Sequence, residues 1–154
     1  METATPTLDS AGIETRSILA DDGVFTTLAF VTLDGTGNRE FSFARKPGAD
    51  TQLRFEDLDL SLIDEAKVFR FGTLSLTDEP ARSATYQAVA YAKSKGKLIT
   101  YDPNLCKPLW RSMEDAKQQL LWGLRQADIV KISNEEGEFL FGLGVKEGAA
   151  HILE

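Results

Sequence analysis

Histidine and cysteine are almost missing from this chain: 154 residues contain one of each, His151 and Cys106. A Ser-His-Asp or Cys-His hydrolase would have to build its proton relay on His151, three residues from the end of the sequence. A histidine-based zinc site would need partner ligands that do not occur. One cysteine makes no internal disulfide, which fits a reducing compartment. Long apolar runs are missing as well, so no segment reads as a membrane span. Basic residues are outnumbered, 17 Lys+Arg against 24 Asp+Glu, for a formal charge of −7. Nucleic acid is not an expected partner, because phosphate binding needs a basic surface and only Lys93, Lys95 and Lys97 cluster at all. Those three fall where a helix would end, and cations suit the dipole there. The opening Met1-Glu2-Thr3-Ala4-Thr5-Pro6 has neither a basic start nor an apolar stretch of leader length, so the cytoplasm is the expected location. There is no GxxxxGK[ST] loop and no HExxH. Gly142-Leu143-Gly144 with Gly148 has the wrong spacing for a dinucleotide fingerprint and reads as a helix stop.

What the chain does have is the makeup of a folded protein, with hydrophobic residues at 42% and charged residues at 27%. Its length alone suits a single domain. Residues 1–23 hold a short amphipathic stretch around Leu8, Ala11 and Ile13 and then a polar connection. Residues 24–33 and 39–45 are rich in β-branched and aromatic residues, and Asp34-Gly35-Thr36-Gly37-Asn38 between them tolerates positive φ. A β-hairpin is expected there, with Phe41 and Phe43 on one face read as core.

From residue 66 the pattern alternates strand and helix. Strands are expected at 67–72, 97–101 and 128–132. The first intervening helix would be capped by Thr77 or Asp78, carry Pro80 in its first turn, show a stripe of Ala81, Ala84, Ala88 and Ala92, and stop at Gly96. The second would open on a Ser112/Asp115 capping box and bury Ala116, Leu120, Leu124 and Ala127. Repeated β-α-β units imply an α/β fold with a parallel sheet, whose ligands gather beyond the carboxyl ends of the strands. Those ends hold Thr73, Ser75, Thr77 and Asp78, then Asp102-Pro103-Asn104, then Ser133-Asn134-Glu135-Glu136. Hard oxygen groups of this kind suit Mg²⁺ and hydroxyl-bearing substrates. Each cluster also has a plain structural reading. Ser133 and Glu136 fit a capping box, and Asp102-Pro103-Asn104 fits an Asx turn.

At these residues the sequence resembles the pfkB (ribokinase-like) family of carbohydrate kinases, most closely its fructokinase branch. The resemblance lies in residues 26–34, Phe41-Ser42-Phe43-Ala44-Arg45 with Pro47-Gly48-Ala49-Asp50, residues 71–82, Tyr101-Asp102-Pro103-Asn104-Leu105 with Leu109-Trp110, and residues 127–136. It implies a parallel sheet flanked by helices, present in part, with residues 24–46 as a small β lid and 1–23 and 47–154 as an incomplete kinase core. It implies ATP and Mg²⁺ as cofactors, a sugar (fructose first) as substrate, and a homodimer through the lid or the exposed sheet. By resemblance Phe43 and Arg45 face the sugar from the lid, Asp102 and Asn104 lie beneath it, and Ser133 and Glu136 stand on the phosphate side, Glu136 holding metal through water. Two departures stand out. Cys106 occupies the position of a family arginine, with Lys107 beside it as a weaker substitute. The early glycine-rich sugar segment and the late GAGD segment with the catalytic aspartate are not in these residues. The expectation is therefore an internal portion of a sugar kinase, without activity by itself; the alternative is a non-catalytic sugar-binding or dimerisation module.

Overall fold

The computed structural model describes residues 4–45, 47–144, 148 and 150. A short helix α1 (Ala4–Ser10) leads to the hairpin strands β1 (Leu28–Leu33) and β2 (Arg39–Ala44). Then come α2 (Leu60–Glu65), β3 (Val68–Phe71), α3 (Ala81–Ser94), β4 (Leu98–Tyr101), α4 (Met113–Gln126), β5 (Ile129–Val130) and α5 (Asn134–Phe141). His151 lies outside the described residues.

Strands β1 and β2 pair antiparallel, from Leu28 opposite Ala44 to Leu33 opposite Arg39. The turn is held by Asp34, whose carboxylate accepts the Thr36 and Asn38 amides at 2.8 and 2.9 Å. Gly37 takes φ 87° there, a value few other residues adopt without strain. The first strand starts at Leu28, not at Val24 as its composition suggests. Phe25 instead makes a parallel bridge to Gly48, so the chain entering the hairpin is pinned to the segment leaving it.

The second sheet has three parallel strands in the order β3-β4-β5. Beyond the ladder of β5, Lys131 N–H donates to the Tyr101 carbonyl, and the Asp128 carboxylate accepts the Ile99 amide. Helix α3 buries Ala81, Ala84, Ala88 and Ala92 along the expected stripe, while α4 buries Ala116 and Leu120 and leaves Leu124 and Ala127, at its far end, only half-buried. Phe71, Ile99 and Tyr101 meet these helices. Alternation puts Val68, Leu98 and Ile129 on the opposite face, where they stand exposed. By the described residues the sheet is thus covered on one side only. Tyr101 fits against Phe71, ring centroids 4.7 Å apart, because α4 offers Gly123; a Cβ there would lie 2.3 Å from the Tyr101 ring.

One expected cap is not made, and one capping box forms only in half. Helix α3 starts at Ala81 with Pro80 at the cap position and no side-chain cap, because a 3-10 turn at Leu74–Leu76 diverts the chain first. Thr77 and Asp78 are used elsewhere: the Thr77 hydroxyl accepts from Arg45, and the Asp78 carboxylate pairs with Arg111 at 2.7 Å. At α4 only half of the capping box forms. The Ser112 hydroxyl accepts the Asp115 amide, while the Asp115 carboxylate takes Arg82 at 2.7 Å. The stop at Gly142, with φ 66°, is as expected.

Candidate functional site

The carboxyl ends of β3, β4 and β5 are drawn together by backbone contacts. Thr73 donates both its amide and its hydroxyl to the Pro103 carbonyl, at 3.0 and 2.6 Å. Gly72 permits this approach, since a Cβ there would sit 2.7 Å from the Asp102 carbonyl oxygen. Asn104 then turns the chain with φ 49°, a left-handed conformation that asparagine tolerates better than most residues.

Asp102 makes no Asx turn. Its carboxylate lies between Arg70 at 2.7 Å and Lys131 at 3.1 Å. Partial burial pushes the Asp102 carboxyl up, and Lys131 and Arg70 more than offset that, so it stays ionised below the usual carboxylate range. Both cations are largely exposed, with side-chain accessibilities of 69% for Arg70 and 82% for Lys131. Neither was singled out from sequence. A positive charge inside the apolar run Val68-Phe69-Arg70-Phe71, at a position that alternates to the face of Thr100 and Asp102, was the available signal.

Ser133 and Glu136 form the expected capping box of α5. The Ser133 hydroxyl accepts the Glu136 amide at 3.2 Å, and the Glu136 carboxylate accepts the Ser133 amide at 2.9 Å. The carboxylate's other oxygen accepts the Leu105 amide at 2.7 Å, so the buried Glu136 also ties α5 to the loop after β4. Among the described residues no group of three or more His, Cys, Asp or Glu could hold a metal ion directly.

The hairpin stands over this rim. Between them lies a cavity of about 370 Å³ bounded above by Phe41, Phe43 and Arg45 and below by Leu74, Asn104 and Cys106. Phe41 is exposed and Phe43 half-buried, with rings stacked at 6.3 Å. The expectation that both are core is therefore corrected, because the hairpin lies across an open cleft and not on a packed layer. A second cavity of about 360 Å³ is lined by Asp102, Asn104, Lys107, Lys131, Ser133 and Glu136. Asn104 lines both, so all six residues expected at the site flank two adjoining spaces. Burial raises the Cys106 thiol, with Arg45 opposing, so it stays protonated at neutral pH. Lys107 leans over the Phe139 ring, 6.0 Å from its centroid.

A parallel sheet whose carboxyl rim carries hydroxyl, amide and carboxylate groups, roofed by an antiparallel hairpin, defines an α/β protein with a covered polar cleft at the carboxyl ends of its strands. Comparison with known proteins gives that class its family. A model of the pfkB family carbohydrate kinases matches residues 4–154, and the chain belongs to that family. It is 50% identical over 129 residues to probable fructokinase-3 of Arabidopsis thaliana, covering 84% of this chain and 37% of that one. It is 47% identical over 132 residues to fructokinase-1 of Zea mays, covering 86% and 41%. A fructokinase from Xylella fastidiosa solved with bound ATP superposes with TM-score 0.85 at 30% identity, over 96% of this chain and 46% of that one. A Vibrio cholerae fructokinase solved with fructose, ADP and calcium gives 0.85 at 28%, over 99% and 49%. The fold is ribokinase-like, and the chain spans about two-fifths of the length of these curated relatives. Among the described residues no helix is long and apolar enough to cross a membrane.

Proposed function

We propose that these residues form the lid and sugar floor of an ATP-dependent kinase that phosphorylates a hexose hydroxyl, with fructose the first candidate. The observation that carries this reading is the cleft itself: the hairpin spans a rim of oxygen groups and leaves a roofed space with Phe43 and Arg45 above and Asn104 below. The fructokinase relatives, and neighbours solved with ATP or with fructose and ADP, support the substrate pair. In this reading Asp102 and Asn104 take sugar hydroxyls, the ionised Asp102 acting as acceptor only. Ser133 and Glu136 stand on the phosphate side, where Lys107 and Lys131 add positive charge. Each Glu136 oxygen accepts one backbone amide and keeps a lone pair, which fits holding Mg²⁺ through water. When bound, Mg²⁺ supplies compensating charge to the phosphoryl group. The lid excludes water from the cleft.

No residue of the chain is assigned as the base for the sugar hydroxyl, and we propose that the 154-residue polypeptide binds sugar without turning it over. Calorimetry should show fructose binding without ATP, and a coupled assay with fructose, other hexoses, Mg²⁺ and ATP should stay at blank. Turnover removed by Arg45→Ala or Glu136→Ala would overturn that. A homodimer through the lid or the open sheet face fits the exposed Leu28, Phe30, Val31 and Leu33 and is checked by light scattering. The same exposure favours a second reading, in which the chain is a non-catalytic module whose part is dimerisation. Turnover restored by the remaining segments of a fructokinase decides for the kinase. A cytoplasmic location fits the one free cysteine, and cell fractionation tests it.

A further inference from the structure

Among the described residues Arg45 is the one buried cation at the cleft, with 6% of its side chain accessible, and each of its three guanidinium nitrogens has a protein partner. Nε donates to the Asp50 carboxylate at 2.7 Å, Nη1 to the Thr77 hydroxyl at 2.7 Å and Nη2 to the Leu74 carbonyl at 2.9 Å. Asp50 also accepts from the Thr27 hydroxyl, and the Thr77 hydroxyl donates onward to the Leu74 carbonyl at 3.0 Å. Thr27 precedes β1 and Arg45 follows β2, so both legs of the hairpin end in this one cluster. The Ala49 amide donates to the Phe25 carbonyl at 3.0 Å beside it. Gly48 has no room for a side chain, since a Cβ would lie 2.0 Å from Thr27 Oγ1. The other end of the cluster, Leu74 and Thr77, belongs to the loop that follows β3.

From this we infer that Arg45, Asp50 and Thr77 form a latch that sets the angle of the hairpin over the rim, and that Arg45 acts in sugar recognition chiefly as a positioning residue. The planar fork suits this role, because it fixes direction as well as distance between three partners on separate segments. Lysine offers no such fork. The latch explains how a hairpin with an exposed apolar face keeps one orientation across an open cleft. The inference rests on the lid reading above for its bearing on sugar, while the latch itself is testable without any sugar.

Thr77 is the informative position, since it lines neither the cleft nor the cavity beside it. Thr77→Val keeps the shape and removes the hydroxyl; Thr77→Ser returns it. In the full 154-residue chain, amide hydrogen exchange of β1 and β2 should quicken on the order of tenfold in Thr77→Val and in Arg45→Lys. The amides of β4 should keep wild-type protection, and Thr77→Ser should restore the hairpin. Fructose affinity measured by calorimetry should fall with Thr77→Val and recover with Thr77→Ser. Unchanged hairpin exchange in both Thr77→Val and Arg45→Lys would overturn the latch, as would equal loss of protection in β4. Wild-type chain that fails to bind fructose while the hairpin still loosens in Thr77→Val would sink the sugar reading and leave the latch standing.

Discussion

The hairpin and the three-stranded sheet are both β structure, yet different forces hold them. Along the sheet, Ile99 and Tyr101 are 1% exposed and lie under α3 and α4, so burial of apolar surface fixes each strand. Along the hairpin, Phe30 is 54% exposed and its neighbours are similar, so little burial favours any one orientation. What holds the hairpin is polar: its own ladder, the Asp34 turn and the Arg45 cluster at its root. Dispersion contacts add over a whole surface and resist any displacement, whereas a few directional bonds at a hinge can yield together. In the proposed kinase reading, a floor that holds oxygen groups at fixed spacing and a roof that admits a ligand call for these two kinds of stabilisation.

The sharpest way to break that contrast is in the core of the floor. Leu120 is fully buried, and Leu120→Ala should cost about 3 kcal/mol in urea unfolding. In the monomer, at concentrations too low for pairing, Phe30→Ser at an exposed hairpin position should stay within about 0.5 kcal/mol. Comparable losses at the two sites would mean that the hairpin is buried within the monomer, and the contrast would fail. Between these extremes lies Glu136→Gln. It leaves a buried amide group facing two backbone N–H donors, for a cost of about 1–2 kcal/mol. Exchange of the Leu105 amide should rise with it, and a protected Leu105 amide in that variant would count against the tie between α5 and the floor.

The floor was the more legible region, for the same physical reason. Alternation and alanine spacing report burial, and the stripes of α3 and α4, the parallel order and the Ser133/Glu136 box all follow from burial or from short-range capping. The hairpin was legible as a hairpin because Asp34 to Asn38 carry turn chemistry locally. Its placement was not. Aromatic residues at Phe41 and Phe43 read as core wherever they occur, and only the cleft beneath them shows that they line open space. The partners of Arg45 and Asp102 come from other segments, up to 32 residues away in sequence, as with Thr77 and Arg70. A charge pairing over such distance leaves no period in a sequence. The Thr77 and Asp78 cap failed likewise, because Arg45 and Arg111 claim those side chains.

The smallest effect, and the finest probe of the hairpin's polar support, is at its tip. The Asp34 carboxyl is lowered to about 2 from the usual 3.8, chiefly by the Thr36 hydroxyl, then by the Asn38 and Thr36 amides, all of which it accepts. Since the folded value lies below the unfolded one, the ionised carboxylate favours the turn. That contribution is complete above about 3.8 and is lost as pH falls through about 2. Asp34 is fully exposed, so water and salt screen the effect and global unfolding should barely register it. A carboxyl carbon titration by NMR should give a midpoint near 2, with exchange of the Thr36 and Asn38 amides rising over the same pH range. The amides of β4 should not respond in that range. A midpoint at the ordinary 3.8 would show that the turn bonds are not kept in solution. The hairpin would then depend on its ladder and the Arg45 root alone.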